Sequence, residues 1–280
     1  MNISVIGGDL RQLTLAKLLK KDGYTVKIAG FDKGPGNDNI TPDDIWESDI
    51  LIFPIPTSHD GVYINAPYSE KPIPIDAEKI SGSKLILGGN ISEKTAEIFS
   101  DAKVNYIDYL KREELMIRNA IPTAEGALEI AFAETPITLH GSNCLVVGYG
   151  RIGKVLSKML KGIGANVTVS ARNCSDLAWI SARGYNSLHN RDISKNISQF
   201  DVIFNTVPAM VLDKVALQNI KPDSLIIDLA SKPGGVDFAT AKDLGLKVIW
   251  SLGLPGKCAP ITSGEIIKDT VINILDELGV

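Results

Sequence analysis

Short apolar runs alternate with stretches of helical periodicity along almost the whole chain. The runs predict strands at Ile3–Ile6, Thr25–Ala29, Ile50–Phe53, Lys84–Leu87, Val104–Ile107, Cys144–Val147, Val167–Ser170, Val202–Asn205, Leu225–Asp228 and Val248–Trp250. Continuous runs such as Cys144-Leu145-Val146-Val147 suit strands buried on both faces. Helical patterns lie between them, for example over Leu10–Lys21 and Gly153–Ile163. Strand and helix in strict alternation imply parallel sheets joined by right-handed crossovers.

Two such series give the expected fold class: α/β, with two Rossmann-like parallel-sheet domains. The first domain is expected over 1–118 and the second over 119–261. Between the series stands Asn119-Ala120-Ile121-Pro122-Thr123-Ala124-Glu125-Gly126, then Ala127–Glu134. Pro122 is expected in the first turn of a connector helix, where its missing N–H costs nothing. Thr262-Ser263-Gly264-Glu265 has capping-box spacing and predicts a final amphipathic helix over 262–280. That helix either packs on the second domain or crosses back onto the first. Asp32–Thr41, rich in Gly, Pro, Asn and Asp, reads as an exposed loop.

Composition adds exclusions. A chain of 280 residues suits about two domains. The net charge is −4 and no window is strongly basic, which ranks nucleic-acid binding low. The hydrophobic fraction of 44% and charged fraction of 22% are ordinary for a folded globule, which excludes disorder and collagen-like repeats. No apolar run approaches the ~20 residues of a membrane helix. The chain enters a strand pattern at once, so no signal peptide is expected. Cys144, Cys174 and Cys258 show no metal-ligand spacing, so neither a zinc site nor a disulfide framework is expected, and a reducing cytoplasm is the natural setting.

The strongest motif is Gly148-Tyr149-Gly150-Arg151-Ile152-Gly153. It follows a buried strand, opens a helix and precedes a second strand, the context of a dinucleotide fingerprint. Gly148 serves the tight turn, Gly150 admits the pyrophosphate, and Gly153 allows close helix–strand packing. The helix N-terminus, with Arg151 and Ile152, supplies N–H groups and positive potential. An NAD site carries an acid after the second strand. Here Ser170-Ala171-Arg172 has none, and an arginine attracts a 2′-phosphate, so NADP is expected over NAD. The other reading of Arg172 is a solvated surface arginine. Gly7-Gly8-Asp9 resembles a dinucleotide turn but lacks the third glycine, so a single site is expected, in the second domain.

Ligands of open α/β sheets sit outside the carboxyl ends of the strands. Those ends offer Pro54-Ile55-Pro56-Thr57-Ser58-His59, Gly88-Gly89-Asn90, Asn205-Thr206-Val207-Pro208, Ala230-Ser231-Lys232-Pro233-Gly234-Gly235 and Leu254-Pro255-Gly256-Lys257. Thr206, Val207 and Pro208 are expected beside the dinucleotide. His59 is the histidine at a strand's carboxyl end, hence the general acid/base candidate, unless it is a solvent-facing loop residue. Lys232 and Lys257 are candidates to bind carboxylates or assist catalysis, or are simply solvated. Arg118 is a carboxylate clamp or a partner in an inter-domain ion pair. The helix start at Pro122 is a further candidate anion site. Pro56, Thr57, Thr123 and Ser231 complete the expected substrate contacts. No metal ligand set is expected.

Taken together, the NAIPTAEG segment at 119–126, His140-Gly141-Ser142-Asn143, the GYGRIG turn, Ser170-Ala171-Arg172, Asn205–Met210, Asp228–Gly235 and Gly253–Pro260 resemble the A-subunit family of dipicolinate synthases from spore-forming bacteria. The likeness is densest from Arg118 to Ile267. That family is similar in architecture to the D-2-hydroxyacid dehydrogenases, a formate/glycerate dehydrogenase-like arrangement. The resemblance implies NADP-dependent oxidation of a dihydrodipicolinate-type precursor, derived from 4-hydroxy-tetrahydrodipicolinate, to pyridine-2,6-dicarboxylate. It also implies a flavoprotein-like B-subunit as partner and the mother-cell cytoplasm during sporulation; separately, a homo-oligomer is expected. A planar dicarboxylate wants two anion sites, which Arg118, Lys232, Lys257 and the Pro122 helix start would supply. The resemblance leaves the catalytic base open, with His59 as candidate.

Two other readings stand beside this one. A 2-hydroxyacid dehydrogenase proper is weakened because no histidine follows His189 and Lys232, not arginine, follows the Asp228 strand. A catalytically silent NADP-binding scaffold fits the paucity of acid/base groups.

Overall fold

The apolar runs form two parallel sheets, each covered by helices on both faces. The computed structural model describes residues 1–34 and 44–280. Most of the loop expected over Asp32–Thr41 lies outside the described residues. In chain order the elements begin with β1 (Asn2–Ile6), α1 (Leu10–Lys21), β2 (Thr25–Ala29), β3 (Ile50–Ile52), α2 (Ala77–Ile80), β4 (Leu85–Gly88), α3 (Glu93–Asp101), β5 (Asn105–Asp108) and α4 (Glu113–Glu134). There follow β6 (Asn143–Val147), α5 (Arg151–Gly162), β7 (Asn166–Ala171), α6 (Cys174–Ala182), β8 (Asn186–His189), α7 (Ile193–Asn196), β9 (Val202–Asn205), α8 (Lys214–Leu217), β10 (Leu225–Asp228) and α9 (Phe238–Asp243). The chain closes with β11 (Lys247–Trp250), α10 (Leu254–Cys258) and α11 (Pro260–Leu278).

The chain divides into two units, Met1–Asn119 with Ala259–Val280, and Ala120–Cys258. In the first unit the strand order is β2-β1-β3-β4-β5, all parallel. One face packs Leu15 and Leu19 of α1 with Ile266, Val271 and Leu275 of α11; the other buries Phe53, Ile80, Ile86 and Phe99. In the second unit the order is β11-β10-β9-β6-β7-β8, again all parallel. Leu156 and Leu160 of α5 cover one face, and Ile193, Phe200 and Leu217 the other.

Strand burial follows sheet position. The central strands β3, β4, β9 and β10 are buried at every residue, as continuous apolar runs require. The edge strand β8, Asn-Ser-Leu-His, has no apolar run and is absent from the predicted strands for that reason.

Two expectations about helix starts need correction. Helix α4 does not begin at Pro122; it begins nine residues earlier, and Pro122 lies in its interior. Glu113 and Glu114 favour the true start through the helix dipole. An interior proline costs ~3 kcal/mol, offset here by burial of Ala120, Ala124, Ala127 and Ala131. There is therefore no helix N-terminus at Pro122 to hold an anion. Helix α11 begins at Pro260, so Thr262 sits inside it and forms no capping box. A proline at the first helical position loses no hydrogen bond. Of the two courses open to this helix, it packs within the first unit against α1.

That packing is tight at Gly264, where a Cβ would meet Thr14 Cβ at 2.6 Å and the Arg11 carbonyl at 2.7 Å. Gly264→Val is expected to destabilise the protein by about 1–3 kcal/mol through overpacking. A lowered urea midpoint checks this; an unchanged midpoint contradicts it.

Candidate functional site

The second sheet reverses strand order between β6 and β9, and a crevice opens outside the carboxyl ends of the strands at such a point. Gly148 ends β6 with φ +98°, and a Cβ there would meet Thr206 Oγ1 at 2.6 Å. A Cβ on Gly153 would lie 2.1 Å from the Gly148 carbonyl oxygen, so only glycine lets α5 descend onto the turn. A Cβ on Gly150 would meet nothing within 4 Å; it would project into open space. Gly150 is also the N-cap of α5 and gives it no side-chain cap. An anion is the natural partner for such a helix end.

This turn forms one wall of a cavity of about 320 Å³. Gly148 to Ile152 line it from the turn, Ala171, Arg172 and Asn173 from the end of β7, Asp176 from α6, Asn190 from beyond β8, and Thr206, Val207 and Pro208 from beyond β9. Nine of the eleven residues expected at the dinucleotide thus line one cavity. Gly153 and Ser170 stand behind it, Gly153 against the Gly148 carbonyl and Ser170 fully buried in β7. Asn190 lies outside the expected set because it follows the polar edge strand β8. Its Oδ1 is buried without a hydrogen-bond partner, an acceptor a ligand would satisfy. Asn173 and Asp176 simply continue the chain past Arg172. Arg172 itself is exposed and forms no ion pair among the described residues. The cradle at Gly150, the uncapped helix and the orphaned Asn190 acceptor together fit a dinucleotide.

The loops after β9 and β10 are tied by a buried carboxylate. Asp228, fully buried, accepts from Asn205 Nδ2 at 2.8 Å, from the Ala230 N–H at 3.0 Å and from the Gly235 N–H at 2.9 Å. The Trp250 indole donates to the Ala230 carbonyl at 2.9 Å. Ser231 and Lys232 are exposed on the loop so held, and Lys257 is exposed on α10. Neither lysine forms an ion pair among the described residues.

The first unit brings its own two candidate loops together. The Thr57 N–H donates to the Gly89 carbonyl at 2.7 Å and its hydroxyl to the same oxygen at 3.2 Å. Thr57 is fully buried, so it fastens the loop instead of offering a hydroxyl to a ligand. Pro56 is half-buried and His59 exposed, with no side-chain hydrogen bond from His59 among the described residues. Beside it the Asp60 carboxyl is lowered to about 2, first by the Tyr63 N–H and then by that of Val62. The Gly7-Gly8 turn is closed: the Gly8 N–H donates to the Asn65 carbonyl at 2.8 Å, and Asp9 caps α1.

Arg118 is engaged by Asp269 at 2.7 Å, within the first unit, which leaves no open carboxylate clamp. Thr123, next to Pro122 inside α4, is half-buried. Cys258 donates its thiol to the Pro122 carbonyl at 3.1 Å and the Leu254 carbonyl at 2.9 Å. Burial pushes that thiol's pKa up, which disfavours the thiolate. Among the described residues, no group of three His, Cys, Asp or Glu is placed to hold a metal. No helix among them is long and apolar enough to cross a membrane.

Comparisons with known proteins agree with this geometry. The N-terminal domain family of the dipicolinate synthase A-subunit matches residues 2–110. The family "D-isomer specific 2-hydroxyacid dehydrogenase, NAD binding domain" matches residues 116–232. The chain is 32% identical to the dipicolinate synthase A-subunit of Bacillus subtilis strain 168, over 99% of this chain and 97% of that one. The crystal structure of the dipicolinate synthase A-subunit from Bacillus halodurans superposes with a TM-score of 0.91 at 30% identity, covering 98% and 97% of the two chains. A transhydrogenase from Sinorhizobium meliloti, 16% identical and covering 98% and 94%, shares the fold with a TM-score of 0.71.

The 2.1 Å approach at Gly153 generates a prediction. Gly153→Ala is expected to push α5 off the turn and weaken dinucleotide affinity by about tenfold or more, since the phosphate contacts depend on backbone placement. Fluorescence titration with NADP+ and NAD+ measures this. Wild-type affinity in the variant contradicts it.

Proposed function

The chain belongs to the A-subunit family of dipicolinate synthases, and from that premise we propose that it oxidises a dihydrodipicolinate-type precursor to dipicolinate with NADP. At the coarser level it is a nicotinamide-dependent oxidoreductase of dipicolinate synthesis. The observation that carries the finer reading is the cavity at the β6–α5 turn, with Arg172, unpaired among the described residues, where NAD sites hold an acid. Asp176 stands further along, at the start of α6.

The bound cofactor supplies the hydride acceptor. The N–H groups at the start of α5 receive the pyrophosphate, and Gly150 leaves room for it. Arg172 pairs with the 2′-phosphate. In this proposal the second unit holds the cofactor. Lys232 and Lys257, both exposed and unpaired among the described residues, pair with the two substrate carboxylates, with Ser231 as a hydroxyl donor. Arg118 joins them only by exchanging Asp269 for substrate, and Thr123 is retained as a contact. Pro56 and Thr57 shape the loop that carries His59. His59 takes the proton released as the ring aromatises. The substrate loses one hydride and one proton; a precursor that still carries a 4-hydroxyl loses water first. A flavoprotein-like B-subunit, a homo-oligomer and the mother-cell cytoplasm complete the proposal.

The test assays wild type and Arg172→Glu with fresh precursor and either NADP+ or NAD+, with and without the B-subunit. Dipicolinate is followed by sensitised terbium luminescence and the reduced cofactor by absorbance. Product and NADPH are expected to rise together in wild type. Arg172→Glu is expected to lose about 10- to 100-fold in kcat/KM with NADP+ and little with NAD+. Equal losses with both cofactors contradict the 2′-phosphate role. NADP+ binding without turnover in any mixture favours the scaffold reading.

A further inference from the structure

The net charge of −4 conceals a basic segment, which folding gathers into a surface on the second unit. Residues 151–188 carry six basic side chains and one acidic, whereas the rest of the chain carries 23 basic and 32 acidic. On α5, Lys154, Lys158 and Lys161 follow at helical spacing, so they share one face. All three are exposed, as is Arg183 just beyond α6.

Aromatic rings join these charges. Lys154 Nζ lies 5.5 Å from the Tyr149 ring centre and Arg183 Cζ 6.0 Å from the same ring. Lys161 Nζ lies 5.2 Å from the Tyr185 ring, and donates to the carbonyls of Arg183 and Gly184 at 3.0 and 3.1 Å. Arg183 also stacks 5.8 Å from Trp179, whose ring is 61% exposed. None of the four cations pairs with a carboxylate among the described residues. A large exposed tryptophan braced by arginine, with further tyrosine and basic side chains around it, has the composition of an interface hot spot. Unneutralised charge of one sign selects a partner of the other sign.

We propose that this surface docks an acidic face of the B-subunit. The inference rests on the reading that the chain works with such a partner. Its position suits that role, because α6 carries Trp179 on this surface and lines the dinucleotide cavity through Asp176. The contact places the partner beside the dinucleotide cavity of the second unit.

The experiment titrates the purified chain with the purified B-subunit of the same organism, at low and high salt. It compares wild type with Lys158→Glu/Arg183→Glu and with Trp179→Ala. Arg183 rests on Tyr149 of the cavity wall, so the thermal midpoint and the circular dichroism spectrum, not NADP affinity, report correct folding. Wild type is expected to bind the B-subunit more weakly as salt rises, and the double variant to lose about tenfold or more in affinity. Trp179→Ala is expected to lose a comparable amount with little change in salt dependence, and it keeps the test intact if the double variant misfolds. Folded variants that bind the B-subunit like wild type overturn the proposal. So does loss of self-association in the variants while the B-subunit still binds, which assigns the surface to a second copy. So does a DNA duplex that binds wild type and loses affinity in the variants while the B-subunit binds all of them alike. No binding of the B-subunit by wild type at any salt removes the partner reading itself, a result distinct from unaffected variants.

Discussion

The site depends on the approach of α5 to the end of β6. A Cβ on Gly153 would stand 2.1 Å from the Gly148 carbonyl oxygen, closer than any side chain tolerates. Gly148 in turn needs the left-handed backbone that an L side chain resists. With both positions bare, the helix starts at the strand's end and delivers its uncapped N–H groups to the crevice between β6 and β9. The Thr206 hydroxyl closes the other side by donating to the Val147 carbonyl at 2.8 Å. The cavity wall is therefore set by backbone geometry.

A second constraint fixes the far loops. Asp228 sits fully buried where β10 ends, and its two oxygens serve one side-chain amide and two backbone N–H groups. An unpaired buried donor costs about 1–3 kcal/mol, so loss of this carboxylate would free the loops that carry Pro208 and Lys232. The Gly235 position reinforces the arrangement: a Cβ there would meet Asn205 Nδ2 at 2.3 Å and the Val207 carbonyl at 2.5 Å. Charge-assisted bonds and close packing thus hold these loops at the same sheet edge as the dinucleotide cavity.

Most of the cavity is legible in sequence because its residues follow apolar strands whose ends can be read directly. Gly148 to Ile152, Ala171, Arg172 and Thr206 to Pro208 all lie within a few residues of such an end. Asn190 is not legible, since β8 is an edge strand with polar residues and gives no apolar run. The start of α4 is hidden for another reason. Pro122 resembles a first-turn proline, yet α4 runs through it with Ala120, Ala124, Ala127 and Ala131 buried along its length. Arg118 reads equally well as a clamp or as an ion-pair partner, and its contact with Asp269 depends on a residue 151 positions away. The basic segment that opens at Arg151 is visible in the sequence, whereas the shared face of Lys154, Lys158 and Lys161 emerges only once Leu156, Ser157 and Leu160 of α5 turn to the core.

The most direct test of the central claim uses Gly150. A Cβ there meets no protein atom, so Gly150→Val leaves the turn itself intact while placing methyl groups where the pyrophosphate would lie. NADP+ titration of this variant, alongside its thermal unfolding, separates folding from binding. An unchanged unfolding midpoint with NADP+ affinity reduced by about a hundredfold or more is the predicted result, since the backbone approach to the pyrophosphate is lost. Wild-type affinity in a folded Gly150→Val protein would show that the dinucleotide binds elsewhere.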